Sequence, residues 1–257
     1  IPDICLIMKA ARKSHLHLVR TLTATLVVLL LCLISLVLFQ NQPAEAQDHP
    51  VQGFDVSHHQ GNIDWEKISP HKYQFVYLKA TEGGDYQDPS FQQNWLKARK
   101  QGLHVGAYHY YRLCREAKLQ AANFIATVPN KADALAPVID LEYDANCIQN
   151  SNQEQLLKQI QTMQKILHQH YGKAPIIYTS KTFYHIVLMG HIPHTALWIR
   201  DYDEAYPKLK DQHGWMFWQY TQKGHINGIS QPVDLNAYAG SAEQWQSYLR
   251  YLGVMHH

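Results

Sequence analysis

PVIDLE, residues 137–142, is the stretch on which the reading of this chain turns. Three apolar residues, Pro137, Val138 and Ile139, lead into Asp140, Leu141 and Glu142. That is the pattern of a buried strand with polar groups at its end. Residues i and i+2 of a strand share a face, so Asp140 and Glu142 point the same way, with Cα atoms about 6.7 Å apart at strand rise. Two carboxylates on one interior face repel. One then tends to hold its proton near neutral pH while the other stays ionised. A pair on a solvated strand face, or a metal site, would show the same spacing, so the surrounding chain has to decide.

Working outward, short β-branched or aromatic runs alternate with helical ones. Strands are expected at 53–57, 75–80, 105–111, 137–143, 176–179, 197–201, 216–221 and 233–235. Helices are expected at 89–101, 115–128, 152–171, 181–189 and 242–252. The clearest helix, 152–171, carries Leu156, Ile160, Met163 and Leu167 on one face and stops at Gly172. Leu119, Ala122 and Ile125 mark the expected apolar face of 115–128. Strands mostly followed by helices in one domain predict an α/β fold, a TIM-barrel-like (β/α) barrel. It should be irregular, because little helix separates the strands beyond Leu197. A doubly wound open sheet is the alternative, but neither G-x-G-x-x-G nor G-x-x-x-x-G-K-[ST] occurs to support it.

Barrels of this kind carry their reactive side chains at the C-terminal strand ends. Those ends hold Asp55, Glu82, the Asp140 and Glu142 pair, Tyr178, Trp198, Gln219 and Asp234. Carboxylates gathered among aromatic residues suit acid–base hydrolysis of a carbohydrate. Glycoside cleavage needs an acid for the leaving oxygen and an anion for the cationic transition state. The 16 Tyr and 6 Trp agree with a groove for flat, hydroxylated ligands. A hydrophobic fraction of 46% excludes a disordered chain. A net charge of +2 gives no field favouring nucleic acid. The 17 His show no ligand spacing such as H-E-x-x-H, so neither a metal nor any other cofactor is expected.

Residues 21–39 contain no charge and follow a basic flank of Lys9, Arg12, Lys13 and Arg20. Ala44-Glu45-Ala46 then has the small-x-small form of a signal-peptidase site. Two readings stand: a signal cut after Ala46, or an uncleaved anchor in the inner membrane. Either one exports the remainder, to the periplasm or beyond the cell. The expected organisation is a leader over 1–46, a linker over 47–52, a catalytic barrel over 53–253 and a tail over 254–257. Cys5 and Cys32 fall in the leader, which leaves Cys114 and Cys147 as one pair in an oxidising compartment. They follow the third and fourth strands, whose neighbouring ends can bring them within disulfide range.

The chain from 53 to 238 resembles the glycoside hydrolase family 25 lysozymes, the Chalaropsis-type N-acetylmuramidases. The resemblance rests on GFDVSHHQGNIDW (53–65), FVYLKATEGGDYQDPSF (75–91), GLHVGAYHYY (102–111), PVIDLE (137–142), PIIYTS (175–180), ALWIRDY (196–202), FWQYTQKGHINGI (217–229) and VDLNAY (233–238). It implies a flattened, irregular barrel that cleaves the β-1,4 bond between N-acetylmuramic acid and N-acetylglucosamine in peptidoglycan. It implies Glu142 as catalytic acid and Asp140 as the second carboxylate, assisting the substrate acetamido group. Asp55 and Asp234 match acidic residues lining the same site. Tyr108, Tyr178, Trp198 and Gln219 fall at groove positions, and Glu82 at a structural or substrate-orienting one. Arg200 departs from the pattern, since many members carry a small residue there. A chitinase-like glycosidase and a non-catalytic wall-binding module are the alternative functions.

Overall fold

The computed structural model describes residues 46, 49–143, 147 and 152–254, all within the unit Glu45–His257. The expected leader segment 21–39 and residues 255–257 of the tail lie outside the described residues. Among the described residues no helix is long and apolar enough to cross a membrane.

The strands, in chain order, are β1 (Gln52–Val56), β2 (Phe75–Glu82), β3 (Tyr86–Gln87), β4 (His104–Tyr110), β5 (Val138–Leu141), β6 (Ile176–Ser180), β7 (Leu197–Arg200), β8 (Phe217–Gly224) and β9 (Val233–Tyr238). The helices are α1 (Phe91–Lys100), α2 (Ala117–Thr127), α3 (Gln153–Tyr171), α4 (Lys181–Phe183) and α5 (Ala242–Tyr251). Sheet order is β1-β9-β8-β7-β6-β5-β4-β2-β3, and β1 also pairs with β2. That last pairing closes eight strands into a barrel and leaves the two-residue β3 as an outer partner of β2.

Neighbours from β1 through β2 and β4 to β8 run parallel, whereas β9 is antiparallel to both β8 and β1. This corrects one expectation. Asp234 is not at a strand's C-terminal end; it stands near the start of β9. Because β9 runs backwards, its start lies at the same mouth as the C-terminal ends of the others. The short, helix-free connection from β8 to β9 is what allows the reversal, since a parallel crossover needs a dozen or more residues.

Alternate strand residues fill the barrel. Phe75, Tyr77, Val138, Trp198 and Phe217 belong to one buried cluster with Trp245 and Leu249 of α5. Trp245 packs on Phe75 and Phe217, the first residues of β2 and β8, with ring centroids 5.5 and 6.2 Å away. Helix α5 therefore stoppers the N-terminal end of the parallel strands. One layer up, Tyr77 meets Trp198 at 5.0 Å. Gly106 of β4 is a glycine because a Cβ there would fall on the Tyr77 ring. The intervening residues, among them Val76, Leu78, Ile139, Leu141 and Ile199, form an outer core beneath the helices. Above this apolar filling, Asp55, Asp140 and Gln219 are gathered at the C-terminal mouth.

Several local expectations shift. Strand β5 stops at Leu141, so Glu142 lies just past it. Helix α1 runs from Phe91, and Asp88 caps the turn leading into it, its Oδ1 accepting from Ser90 N at 2.9 Å while its Oδ2 accepts from His58 N at 2.9 Å. In α2 the buried face is Ala117, Gln120, Ala121 and Phe124, and Leu119 is exposed. The expected helix 181–189 is the single turn α4 followed by a π turn over Tyr184–Leu188.

Candidate active site

A cavity of about 200 Å³ opens at the C-terminal mouth. Asp140 and Glu142 from the end of β5, Asp55 from β1 and Asp234 from β9 all line it. Tyr108, Tyr178, Trp198 and Gln219 line it too, so the structure brings together eight of the nine residues expected at the site. Glu82 is the exception. Its carboxylate pairs with Lys79 Nζ at 2.7 Å and with Arg112 Nη2 at 2.6 Å, in an adjoining pocket. Partial burial works against it, yet Lys79 and then Arg112 hold the Glu82 carboxyl below the usual range.

Asp55 is fixed from two sides. Its Oδ2 accepts from Gln219 Nε2 at 2.9 Å and from Asn236 Nδ2 at 2.8 Å. Asn236 is oriented by Trp198, whose indole N–H donates to Asn236 Oδ1 at 2.9 Å. Gln219 is oriented by two phenols, Tyr178 at 2.9 Å and Tyr202 at 2.6 Å, which both donate to its Oε1. Trp198 is 1% exposed, so it serves as floor and brace rather than as an open sugar platform. Asn236 and Tyr202 were missed in the sequence. The D-x-N spacing of Asp234 and Asn236 in VDLNAY, two positions on one strand face, was the available signal for Asn236.

Burial is the largest influence on three of the four carboxyls. It pushes Asp140 well above the usual range, with the charges of Glu142 and Asp55 adding and Lys79 and Arg200 opposing. Asp140 Oδ1 is buried and makes no hydrogen bond among the described residues. Asp55 is pushed up by burial and by Asp234, against the hydrogen bonds from Asn236 and Gln219. Asp234 is raised from 3.8 to about 6 by burial and Glu142, with Arg200 opposing. Glu142 is different in kind: Arg200 Nη1 donates to its Oε1 at 3.0 Å and its Oε2 at 3.1 Å.

The sequence profile of glycosyl hydrolases family 25 matches residues 54–229. This chain belongs to that family. Lysozyme M1 of Streptomyces globisporus is 30% identical over 207 residues, covering 75% of this chain and 69% of that protein. The Escherichia coli K12 protein YegX is 34% identical over 206 residues, covering 78% of this chain and 74% of its own length. The structure of a family 25 glycosyl hydrolase from Bacillus anthracis superposes with a TM-score of 0.73 at 36% identity, covering 78% of this chain and 94% of that one.

Cys114 and Cys147, which line the pocket that holds Glu82, form a disulfide with Cα atoms 5.0 Å apart. It ties the segment after β4 to the one after β5, on which Glu142 stands.

Proposed function

We propose that this family 25 chain is an exported N-acetylmuramidase in which Glu142 protonates the glycosidic oxygen and Asp140 steers the substrate's own acetamido group. The convergence of Asp140, Glu142, Asp55 and Asp234 in one cavity carries the reading. Cleavage of the β-1,4 bond after N-acetylmuramic acid needs a proton on the leaving oxygen and a nucleophile at the anomeric carbon. Glu142 sits past the strand end, with its side chain 21% exposed, where a leaving group can reach it. Asp140 is buried beneath it, and its unpartnered Oδ1 suits an acetamide N–H. Polarised in this way, the acetamide oxygen attacks the anomeric carbon as the protonated glycosidic oxygen leaves. Water, giving its proton to Glu142, then opens the cyclic oxazolinium ion from the opposite face, so two inversions retain the configuration. Asp55, held by Gln219 and Asn236, and Asp234 complete the anionic wall that stabilises the cationic transition state.

Export rests on the order of basic flank, apolar segment and Ala44-Glu45-Ala46, and the disulfide suits an oxidising compartment. N-terminal sequencing of the mature protein distinguishes a cut after Ala46 from a retained anchor.

The test of the activity is incubation with purified peptidoglycan and, separately, with chitin. Soluble fragments with muramic acid at the new reducing end are expected from the first and none from the second. Products from chitin would favour the chitinase-like alternative, and a bound but undigested polymer would favour a wall-binding module.

A further inference from the structure

Arg200 is the one cation among the described residues lining the cavity. It ends β7, at the mouth of the barrel. Its Nη1 alone engages both oxygens of Glu142, at 3.0 and 3.1 Å. Among the described residues its Nε and Nη2 make no hydrogen bond. The guanidinium side chain is 33% exposed, and it lies 6.0 Å from the centre of the Tyr202 ring. A guanidinium presents five N–H donors in a planar fork that matches a carboxylate on two of them at once. Here most of that fork is unused.

Two features of the site bear on that spare capacity. The first is the state of Glu142. A carboxylate that accepts on both oxygens is not placed to give a proton to a glycosidic oxygen, so Arg200 has to release at least one of them before the bond is cleaved. The second is charge. Asp55, Asp140, Glu142 and Asp234 make the cavity wall acidic, and a substrate carrying its own carboxylate meets that wall unless a cation offsets it. Both needs are met if the substrate's carboxylate replaces Glu142 on the guanidinium. Exchanging one carboxylate for another conserves the charge-assisted hydrogen bonds, and the pair is open enough to solvent for the exchange to need little desolvation. The Tyr202 face holds the guanidinium in the groove meanwhile.

We propose that Arg200 is a specificity residue that binds a carboxylate of the glycan next to the cleaved bond and, by doing so, releases Glu142, which takes up a proton from solvent and passes it to the glycosidic oxygen. The proposal rests on the muramidase reading. Two sources share this chemistry: the lactyl arm of the muramyl residue, when no peptide is attached, and the stem peptide, when one is.

The test compares kcat and KM on three soluble glycan substrates of equal length. One has free lactyl carboxylates, one has those carboxylates converted to methylamides, and one carries stem peptides. The wild-type protein is expected to favour a carboxylate-bearing substrate over the methylamide by about ten- to a hundredfold in kcat/KM, the usual worth of hydrogen bonds to a charged group. Preference for the free lactyl strands assigns the carboxylate to that arm, and preference for the peptide-bearing strands assigns it to the peptide. Arg200→Gln should bring the ratio close to one, and Arg200→Lys should keep part of it. Equal wild-type rates on all three substrates would overturn the proposal and leave the muramidase reading standing. So would an unchanged ratio in Arg200→Gln, because a mere brace for Glu142 lowers every substrate alike. Failure of the folded wild-type protein to cut any of them overturns the muramidase reading itself. The wild-type ratio needs no variant, so a substitution that misfolds does not remove the test.

Discussion

Asp55 and Asp234 face each other as register partners across the antiparallel pair of β1 and β9. Like charges directly opposite one another destabilise a strand pair. Both carboxyls are also taken out of water, and both hold their protons more tightly than usual. The antiparallel β9 thus stores unfavourable charge at the site, and this has a measurable pH signature.

Asp234 binds its proton with a pKa of about 6 in the folded chain, against 3.8 ordinarily. Its protonated form therefore contributes stability that is fully present below 3.8 and is lost as pH rises through about 6. Asp234→Asn removes the charge. It should stabilise the protein by about 1–2 kcal/mol at pH 7.5, with the shift discounted for partial exposure, or roughly 2–8 °C in Tm. At pH 3.5 the same substitution should gain little. Thermal melts of the two proteins at both pH values check this, and an equal gap at both would mean that Asp234 titrates normally.

Glu142→Gln keeps the shape of the proposed acid and removes its proton. Turnover should fall about 10²–10⁴-fold, the usual contribution of a general acid. Asp140→Asn should also be severely impaired while the glycan still binds. Steady-state rates with a binding assay separate the two effects. An isolated glycosyl–Asp140 adduct would exclude the substrate-assisted route, and an inverted anomeric product would exclude retention.

Asn236 links Trp198 to Asp55 through two buried hydrogen bonds. Asn236→Leu preserves bulk but leaves the indole N–H without its acceptor and Asp55 with Gln219 as its remaining donor. A cost of about 2–4 kcal/mol is expected from the stranded polar groups. Urea unfolding measures it. Activity should fall as well, because Asp55 is no longer held from both sides.

Breaking the disulfide with Cys114→Ser and Cys147→Ser opens a loop with a sequence separation of 33. Chain-entropy reasoning puts the loss at about 3–4 kcal/mol. Reduced and oxidised wild-type protein should differ by a similar amount in denaturant midpoint, and no difference would remove the bond from the stability argument.

Gly106→Ala places a methyl group against the Tyr77 ring inside the barrel. The strain should cost about 1–3 kcal/mol. Expression and thermal melting report it, and Tyr77→Phe in the same background should not relieve it, since the ring rather than the hydroxyl is in the way.

The closure of the barrel through β1 and β2 is a tertiary fact, but the sequence by itself determined the order of most strands and helices and most of the cavity's residues. These follow from local periodicity: Asp140 behind Val138, and Tyr178 behind Ile176, are legible because alternate residues of a buried strand must share a face. Tertiary structure alone decided the direction of β9, because local patterning is the same whichever way a strand is paired. It also decided the partners. Lys79, three residues before Glu82 on β2, was a partner the sequence already offered for its carboxylate, but Arg112, from beyond the end of β4, is joined to it by the fold alone. Arg200 meets Glu142 across 58 positions of sequence. A hydrogen bond or an ion pair depends on distances of about 3 Å, and only the closed barrel sets those between residues so far apart along the chain.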